Sequence, residues 1–430
     1  MSDVAVLVEE DELEREKMNG MLINVAPLHG IENVGFESEV SENASKVGAS
    51  RQDTARNDDE QTDFIMALFV VVFDTRHGNE IEWHIPDCID LEGVEFKALV
   101  SGSHTVSQDF VYFKHRGFYG VSCFGKMSVA NEEERHARMK SVGVICKDYT
   151  SLHEHMSFLE EQVRQQLTRP ASYKELVDYY NEFRQCPHKN NTTVLLERNH
   201  LHAVDELPIL KITHPAGCFS QFIKYFGEKI FILWKLILLQ SRILFFAPPP
   251  AGISSYRVYC TCLLGSHAVP FVADWNPNPL FSINVTDIPM LTSKEQYVAC
   301  TTEKIFETKT DVYDAYVDNQ NLRLSERLAL IGKINNGDKK RYQQLCMYSD
   351  EEFVSGKEVY DDETLYTRFF VEANNRLFKV LYEIASHEDR TLTAEAVYEM
   401  GLDPYGDRLF IALIVDLYDI HVILPNVSCC

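Results

Sequence analysis

Apolar and polar residues follow a different spacing in each part of the 430-residue chain. Residues 1–62 show no sustained period and are rich in acidic residues, Ser, Asn and Gly. Such a segment cannot bury enough apolar surface to offset the entropy that folding costs. We therefore predict a disordered acidic tail over residues 1–62.

Short apolar runs separated by turn residues dominate residues 63–184. Five runs predict strands: "FIMALFVVVFD", "IEWHIP", "DFVYFKH", "FYGVSCFGKM" and "HARMKSVGVICKD". Arg116–Gly117 is the tight turn between the third and fourth strands. The following run, "TSLHEHMSFLEEQVRQQLTR", has apolar residues at helical spacing behind a cap at Thr150 or Ser151. This pattern predicts an α+β domain with an antiparallel sheet and a covering helix.

Helices and strands alternate over residues 211–349, after a polar linker predicted over residues 185–210. Apolar residues recur at steps of three and four from Phe219 to Ile237, which predicts one long helix. The strand "RILFFA" follows, and three prolines then prevent further ladder pairing. The pattern continues with helix "GISSYRVYCTCLL", strand "FSINV", strand-then-helix "YVACTTEKIFETK" and strand "YDAYVD". This alternation predicts a mostly parallel α/β domain.

Helical periods dominate residues 350–430. The longest helix predicted there is "DETLYTRFFVEANNRLFKVLYEIASH", and "DPYGDRLFIALIVDLYDI" contains the last. Between them, "TAEAVYEM" begins at a Thr393 cap and ends at Gly401. We predict a helical subdomain with an acidic exterior, so that the chain as a whole is an α+β and α/β multi-domain protein.

The most apolar stretch, residues 230–246, raises the question of a membrane span. A span needs about 20 apolar residues, whereas this stretch contains Lys235 and Arg242 and is soon followed by Pro248. We interpret it as a buried helix–strand pair. The first residues also lack the features of a secretory leader, and we expect a cytoplasmic protein.

The net charge of −24 is concentrated at the two ends of the chain. Residues 1–63 contain 16 acidic and 5 basic residues, residues 350–430 contain 17 and 6, and the middle is close to neutral. A nucleic-acid-binding protein needs a basic face to displace counterions from phosphates. The charge distribution therefore argues against a nucleic-acid partner.

The 11 cysteines are scattered without the spacing of a disulfide framework. Several lie in apolar runs, including Cys260 and Cys262, where a thiol serves as a small core hydrophobe. The terminal pair Cys429 and Cys430 is a candidate for prenyl or palmitoyl lipidation, which would give peripheral membrane association. The alternative is an ordinary tail with free thiols.

Motifs for self-contained catalysis are absent from the sequence. The chain has no P-loop, no G-x-G-x-x-G, no nucleophile elbow and no H-E-x-x-H. His153 and His155 would lie on different faces of a helix, which is poor metal geometry, and we assign them to a solvated face. We expect no metal and no cofactor, and a binding protein rather than an enzyme with its own catalytic site.

Seven strings in order give the chain a resemblance to a known family. They are "IDLEGVEFKALVSGSH", "RMKSVGV", "KITHPAGC", "RILFFAPPP", "YVACTTEKIFE", "DAYVDNQN" and "LTAEAVYEMGLDPYGDR". Together they resemble the DENN-domain-containing family over residues 64–425. The resemblance implies a tripartite module: a longin-like antiparallel-sheet domain over residues 63–184, a three-layer α/β/α DENN domain over 211–349 and a helical part over 350–430.

The family resemblance also implies a function. Family members generally act as guanine nucleotide exchange factors for Rab GTPases, so we expect a Rab-type partner and recruitment to vesicle membranes. Two alternatives stay open. One is a GTPase-activating protein that supplies Arg76 or Arg116 in trans, and the other is a scaffold that binds a GTPase regardless of its nucleotide.

Contacts with the GTPase are expected from polar residues at strand ends and loops. Such residues can equally be helix caps or solvated loop residues, as Thr302 could be for the helix after it. Arg242 is expected to pair at the start of its strand. The candidate GTPase-binding residues are Lys97, His104, Thr302, Glu303, Lys304, Asp318 and Asn319.

Overall fold

A computed structural model describes residues 65–149, 152–184, 219–272, 277, 279–354 and 362–424. Its strands are β1 (Ile65–Asp74), β2 (Gly78–Ile85), β3 (Gln108–His115), β4 (Phe118–Ser128), β5 (Ala137–Cys146), β6 (Arg242–Phe246), β7 (Pro279–Ser282), β8 (Tyr297–Thr301), β9 (Ala315–Asp318) and β10 (Asn321–Leu324). All ten belong to one sheet with the order β10-β9-β6-β8-β7-β3-β4-β5-β1-β2. The predicted tail and linker, and Cys429 and Cys430, lie outside the described residues.

Eleven α-helices accompany the sheet in the described ranges. They are α1 (Val94–Ala98), α2 (Met156–Thr168), α3 (Lys174–Phe183), α4 (Phe219–Phe226), α5 (Ile230–Leu238), α6 (Ala251–Leu264), α7 (Ile288–Thr292), α8 (Asn336–Val354), α9 (Asp362–Ser386), α10 (Ala394–Glu399) and α11 (Arg408–Leu417). The expected mixture of helix and strand is confirmed.

The first segment, residues 65–184, contributes β1 to β5, and its strand pairs are all antiparallel. The predicted turn between β3 and β4 is present, with φ of 47° at Arg116 and 93° at Gly117. Two successive positive φ values are typical of the type I′ turn, whose twist matches that of the strands. The five predicted strands are therefore confirmed.

The second segment, residues 219–354, contributes β6 to β10. Strand β6 pairs in parallel with both β8 and β9, and β7 pairs in parallel with β8. Strand β10, which the sequence analysis did not predict, returns antiparallel along β9. Its four residues are too short for a period to be visible.

The two segments join within the sheet through one residue pair, Phe113 of β3 and Phe281 of β7. Phe281 is buried and has a φ of 56°, an unusual backbone conformation for a bulky residue. Its ring packs against Tyr112, Tyr119 and Tyr149 of the first segment at centroid distances of 5.5, 6.2 and 5.7 Å. These aromatic contacts stabilise the strained residue at the joint.

Two predicted helices differ from the observed ones. The single helix predicted from Phe219 to Ile237 is wrong, because a 3₁₀ turn at Gly227–Lys229 separates α4 from α5 and Gly227 has a φ of 53°. The helix predicted after β8 is a 3₁₀ helix, Lys304–Thr308. Apolar spacing alone could not register these breaks, since the buried face continues across them.

Buried apolar clusters lie on both faces of the sheet. On one face, Ile243 and Phe245 of β6 pack into a large cluster with α2, α5, α6 and the C-terminal helices. On the other face, Leu244 packs into a smaller cluster with Leu291 of α7 and Phe306. Every residue of α5 is buried, which agrees with a core helix. Within the described part of the chain, no helix is long and apolar enough to cross a bilayer.

Helices α8 and α9 and the start of α11 are tied to α5 by buried polar contacts. Lys235 of α5 lies 2.8 Å from both Asp338 and Asp407. Arg341 of α8 pairs with the same two carboxylates. Trp234 donates its indole N–H to Asn374 Oδ1 of α9 at 2.7 Å. The predicted Thr393 cap is confirmed, because its hydroxyl accepts the Ala396 N–H.

The assignment of His155 to a solvated face is wrong. The residue is buried, with 3% of its surface exposed, and its Nδ1 lies 2.8 Å from the Tyr179 hydroxyl. The chain forms a 3₁₀ turn at Leu152–His155 before α2 begins, which rotates His155 inward. Burial lowers the pKa of its imidazole to about 4.

Candidate functional site

A cleft of about 500 Å³ lies where the first and second segments meet. We call it the junction cleft. Phe73, Leu99 and Met139 of the first segment contribute apolar surface to it, and Val285 of the second segment faces the same space. Two of the predicted residues, His104 and Glu303, also line it.

Glycine shapes the part of the cleft that the first segment supplies. Gly102 has a φ of 85° and precedes the 3₁₀ turn Ser103–Thr105, which carries His104. A Cβ at Gly102 would lie 3.0 Å from Cγ of Pro249, in the loop after β6. Both the backbone conformation and the close approach therefore require glycine here. The proline-rich loop thus abuts the turn that positions His104.

The carboxyl ends of the parallel strands meet at the same edge of the sheet. Phe246 at the end of β6 is in register with Thr301 on one side and Asp318 on the other. Residues that follow β6, β8 and β9 therefore emerge together. This brings Thr302 and Glu303 to the edge that carries Asp318 and Asn319.

Thr302 and Glu303 contact other loops at this edge. The Thr302 hydroxyl donates to the Ser101 carbonyl of the first segment at 2.9 Å. Glu303 Oε2 accepts the Val285 N–H at 2.8 Å. Glu303, not Thr302, is the N-cap residue of the 3₁₀ helix, and its side chain makes no capping bond. The capping alternative for Thr302 is therefore wrong, and its side chain links the two segments.

Lys97 also links the two segments. Its ammonium group donates to the Lys114 carbonyl at 2.9 Å and lies 3.2 Å from Asp287 Oδ1. Asn284 is the N-cap of the turn before α7, and Asp287 Oδ2 accepts the Asn284 N–H at 3.0 Å. Lys97 thus holds α1 of the first segment against this turn of the second.

The remaining candidates lie outside the lining of the cleft. Lys304 is exposed at the start of its 3₁₀ helix. Asp318 ends β9, and Asn319 follows it with a φ of 52° in the turn to β10. The structure therefore gathers Lys97, His104, Thr302 and Glu303 at the segment boundary, while the other three stay at the sheet edge.

Asp109 is an important residue of the boundary that sequence reasoning missed. This residue of β3 is 5% exposed, and its carboxylate accepts the N–H groups of Ala251 and Gly252 at 2.6 and 3.0 Å. It thereby caps α6 of the other segment. Burial raises the pKa of Asp109 to about 6, although these hydrogen bonds lower it. The only signal was an acid at the head of an apolar strand.

The arginines considered for an activating role differ in their surroundings. Arg116 pairs with Asp90 beside the β3–β4 turn, whereas Arg76 is exposed in the β1–β2 turn. At the start of β6, Arg242 pairs with Asp314 at 3.2 Å and donates to the Asp311 carbonyl. The prediction for Arg242 is therefore confirmed.

Most of the chain, including the residues that line the cleft, is similar in sequence to known proteins. The family model of DENN domain-containing protein 11 matches residues 68–328. A protein of that name from Xenopus laevis is 48% identical over 382 residues, 86% of this chain and 88% of the relative. The Mus musculus protein of that name is 46% identical, over 86% of this chain and 84% of the relative.

Proposed function

The chain belongs to the DENN domain-containing protein 11 family, and on that premise we propose that it is a guanine nucleotide exchange factor for a small GTPase of the Rab type. The observation that carries this proposal is the junction cleft, which both segments line. Lys97, Thr302 and Asp109 fix the two walls relative to each other through contacts across the boundary.

The exchange reaction needs binding rather than bond chemistry. A GTPase holds GDP with about 12–16 kcal/mol of binding free energy. An exchange factor offsets this binding free energy by binding the nucleotide-free conformation of the GTPase more tightly than the GDP-bound conformation. Such discrimination favours a large and preformed surface. A cleft built on one continuous sheet supplies a rigid surface of this kind.

We further propose that the GTPase contacts the edge of the sheet around the cleft. His104 and Glu303 would bind from the cleft wall, and Lys304, Asp318 and Asn319 from beside it. Lys97 and Thr302 would act by holding the walls. We also propose the tripartite division at residues 184 and 211 and near 350, a cytoplasmic protein recruited to vesicle membranes, and lipidation of Cys429 and Cys430 as one route to recruitment.

The test is the release of fluorescent GDP from a panel of purified Rab GTPases, with and without the full chain. We expect faster release from one or a few members. Val285→Asp places a charge on the cleft wall and should reduce the acceleration at least tenfold. The matched control is Leu330→Asp, which changes a leucine that is 63% exposed and does not line the cleft.

Unaccelerated release across the panel, with the full chain and with a chain lacking residues 1–62, would overturn the proposal. If Val285→Asp leaves the acceleration intact, the GTPase does not bind in the cleft, and that part of the proposal is wrong.

A further inference from the structure

Glu303 is a half-buried carboxylate that lines the junction cleft. Its Oε2 accepts the Val285 N–H, and within the described ranges no lysine or arginine forms an ion pair with it. Burial raises the pKa of Glu303, the Val285 N–H lowers it, and the nearby Asp287 carboxylate raises it further. Among the described residues, this carboxylate therefore lacks the paired cation that a desolvated charge usually has.

Glu134, the other acidic residue that lines the cleft, is engaged by its neighbours, because it accepts hydrogen bonds from Arg138 and Asn131. Asp287, which lies near Glu303 but outside the cleft lining, is paired with Lys97. His104 and Arg135 line the same cleft, but neither is among the groups that shift the pKa of Glu303. Of the two acidic residues in the described lining of the cleft, Glu303 is thus the one that remains available to a ligand.

Exposed apolar side chains line the same cleft as this carboxylate. Phe96 of α1 is 48% exposed and Val285 is 42% exposed, and both line the cleft, one from each segment. Large apolar side chains left open on both walls indicate a ligand with an apolar body. Together with the carboxylate, they match a long side chain that ends in a cation.

We propose that the junction cleft binds an arginine side chain of the partner protein, with the guanidinium on Glu303 and the stem between Phe96 and Val285. Arginine fits better than lysine because its planar, weakly hydrated group stacks on an aromatic ring and pairs with a carboxylate at once. This inference rests on the proposed function for the identity of the partner, but the pocket and its ligand chemistry can be tested without any GTPase.

The test is a titration of the full chain, labelled at valine and methionine methyl groups, with N-acetyl-arginine N-methylamide. Val285 and Met139 report from opposite segments of the cleft. We expect saturable shifts of both signals up to about 50 mM probe, because one ion pair and one stacking contact give millimolar affinity. The citrulline analogue has the same shape without the charge and should give less than a tenth of the shift.

Glu303→Gln removes the charge but keeps an oxygen that accepts the Val285 N–H, so the turn is expected to fold normally. It should abolish the arginine shifts, whereas Glu326→Gln, at an exposed acid outside the cleft lining, should leave them unchanged. Absent shifts, equal shifts with citrulline, or shifts that survive Glu303→Gln would each overturn the proposal.

The outcome is separable from that of the exchange assay. Arginine binding without accelerated GDP release would overturn the proposed function and retain the pocket. With a GTPase that responds, Glu303→Gln should slow the accelerated release about tenfold, and an unchanged rate would show that the partner does not use the pocket.

Discussion

Two buried titratable residues, Asp109 and His155, make the stability of the fold depend on pH in opposite directions. Asp109 takes a raised pKa of about 6 at the segment boundary. His155 takes a lowered pKa of about 4 beneath α2 and α3. Each displacement reflects the desolvation of the charged form.

These displacements predict a pH dependence that largely cancels in the wild type. As pH falls from 6.5 to 4, unfolded His155 is protonated before the folded residue, which destabilises the fold by about 3 kcal/mol. Folded Asp109 is protonated before its unfolded form over nearly the same range, which stabilises by a similar amount.

Asp109→Asn removes the stabilisation that protonation of Asp109 gives as pH falls. The free energy of unfolding of this variant, measured with urea at pH 7, 6, 5 and 4, should fall relative to wild type by about 3 kcal/mol over this range. His155→Asn should change in the opposite direction. A difference from wild type that is constant with pH would refute the assignment for either residue.

Local sequence could identify some of these residues and not others. Lys97 and Thr302 are polar residues at ends of elements, where binding groups are commonly found, and the structure places them at the boundary. The role of Asp109 depends on a helix that starts 142 residues later in the chain. No local pattern carries that information.

At the scale of elements, the buried cluster of Lys235, Arg341, Asp338 and Asp407 connects α5, α8 and the loop before α11. Two cations and two carboxylates balance in charge, and the Arg341 guanidinium also lies over the rings of Phe231 and Trp234. The arginine holds the pKa of the Asp407 carboxyl well below its usual range, although burial alone would raise it.

Removing one member should cost far more than removing an exposed pair. Asp407→Ala leaves two buried cations with a single carboxylate, and we expect a loss of about 3–5 kcal/mol in the free energy of unfolding. Glu307→Ala removes only the partner of the exposed Arg323 and should cost less than about 1 kcal/mol. Equal losses in urea unfolding would contradict a structural role for the cluster.

Element type was easier to predict from the sequence than element continuity. Runs of apolar residues identified nearly every strand and the long C-terminal helices, because these bury one face over many residues. The break at Gly227 and the inward rotation of His155 arise from local backbone geometry within apolar runs. Hydrophobic spacing does not record such changes.

At the scale of the whole molecule, the two segments share one sheet and one main core. The large core cluster includes residues from Ile65 of β1 to Ile420 after α11. The family resemblance inferred from seven strings is confirmed by the relatives and the family match. The joint through Phe113 and Phe281 could not be inferred, because residues so distant in sequence pair only through the tertiary fold.

Shared packing predicts that the segments unfold together. Differential scanning calorimetry of the full chain should give one main transition for the two segments. Its calorimetric and van't Hoff enthalpies should be equal. Two well-separated transitions would contradict this. Phe281→Ala, which removes the ring from the tyrosines of the first segment, should lower the transition temperature and is the variant most suited to separate the segments.

The joint also has a consequence for the growing chain on the ribosome. Strand β3 belongs to the early segment, yet its partner Phe281 follows the end of β5 by about 135 residues, which at about 5–20 residues per second takes roughly 7–27 s. During that interval β3 has no partner on the side where β7 pairs in the finished sheet. The junction cleft can form only after Glu303 is synthesised, a further 22 residues along the chain.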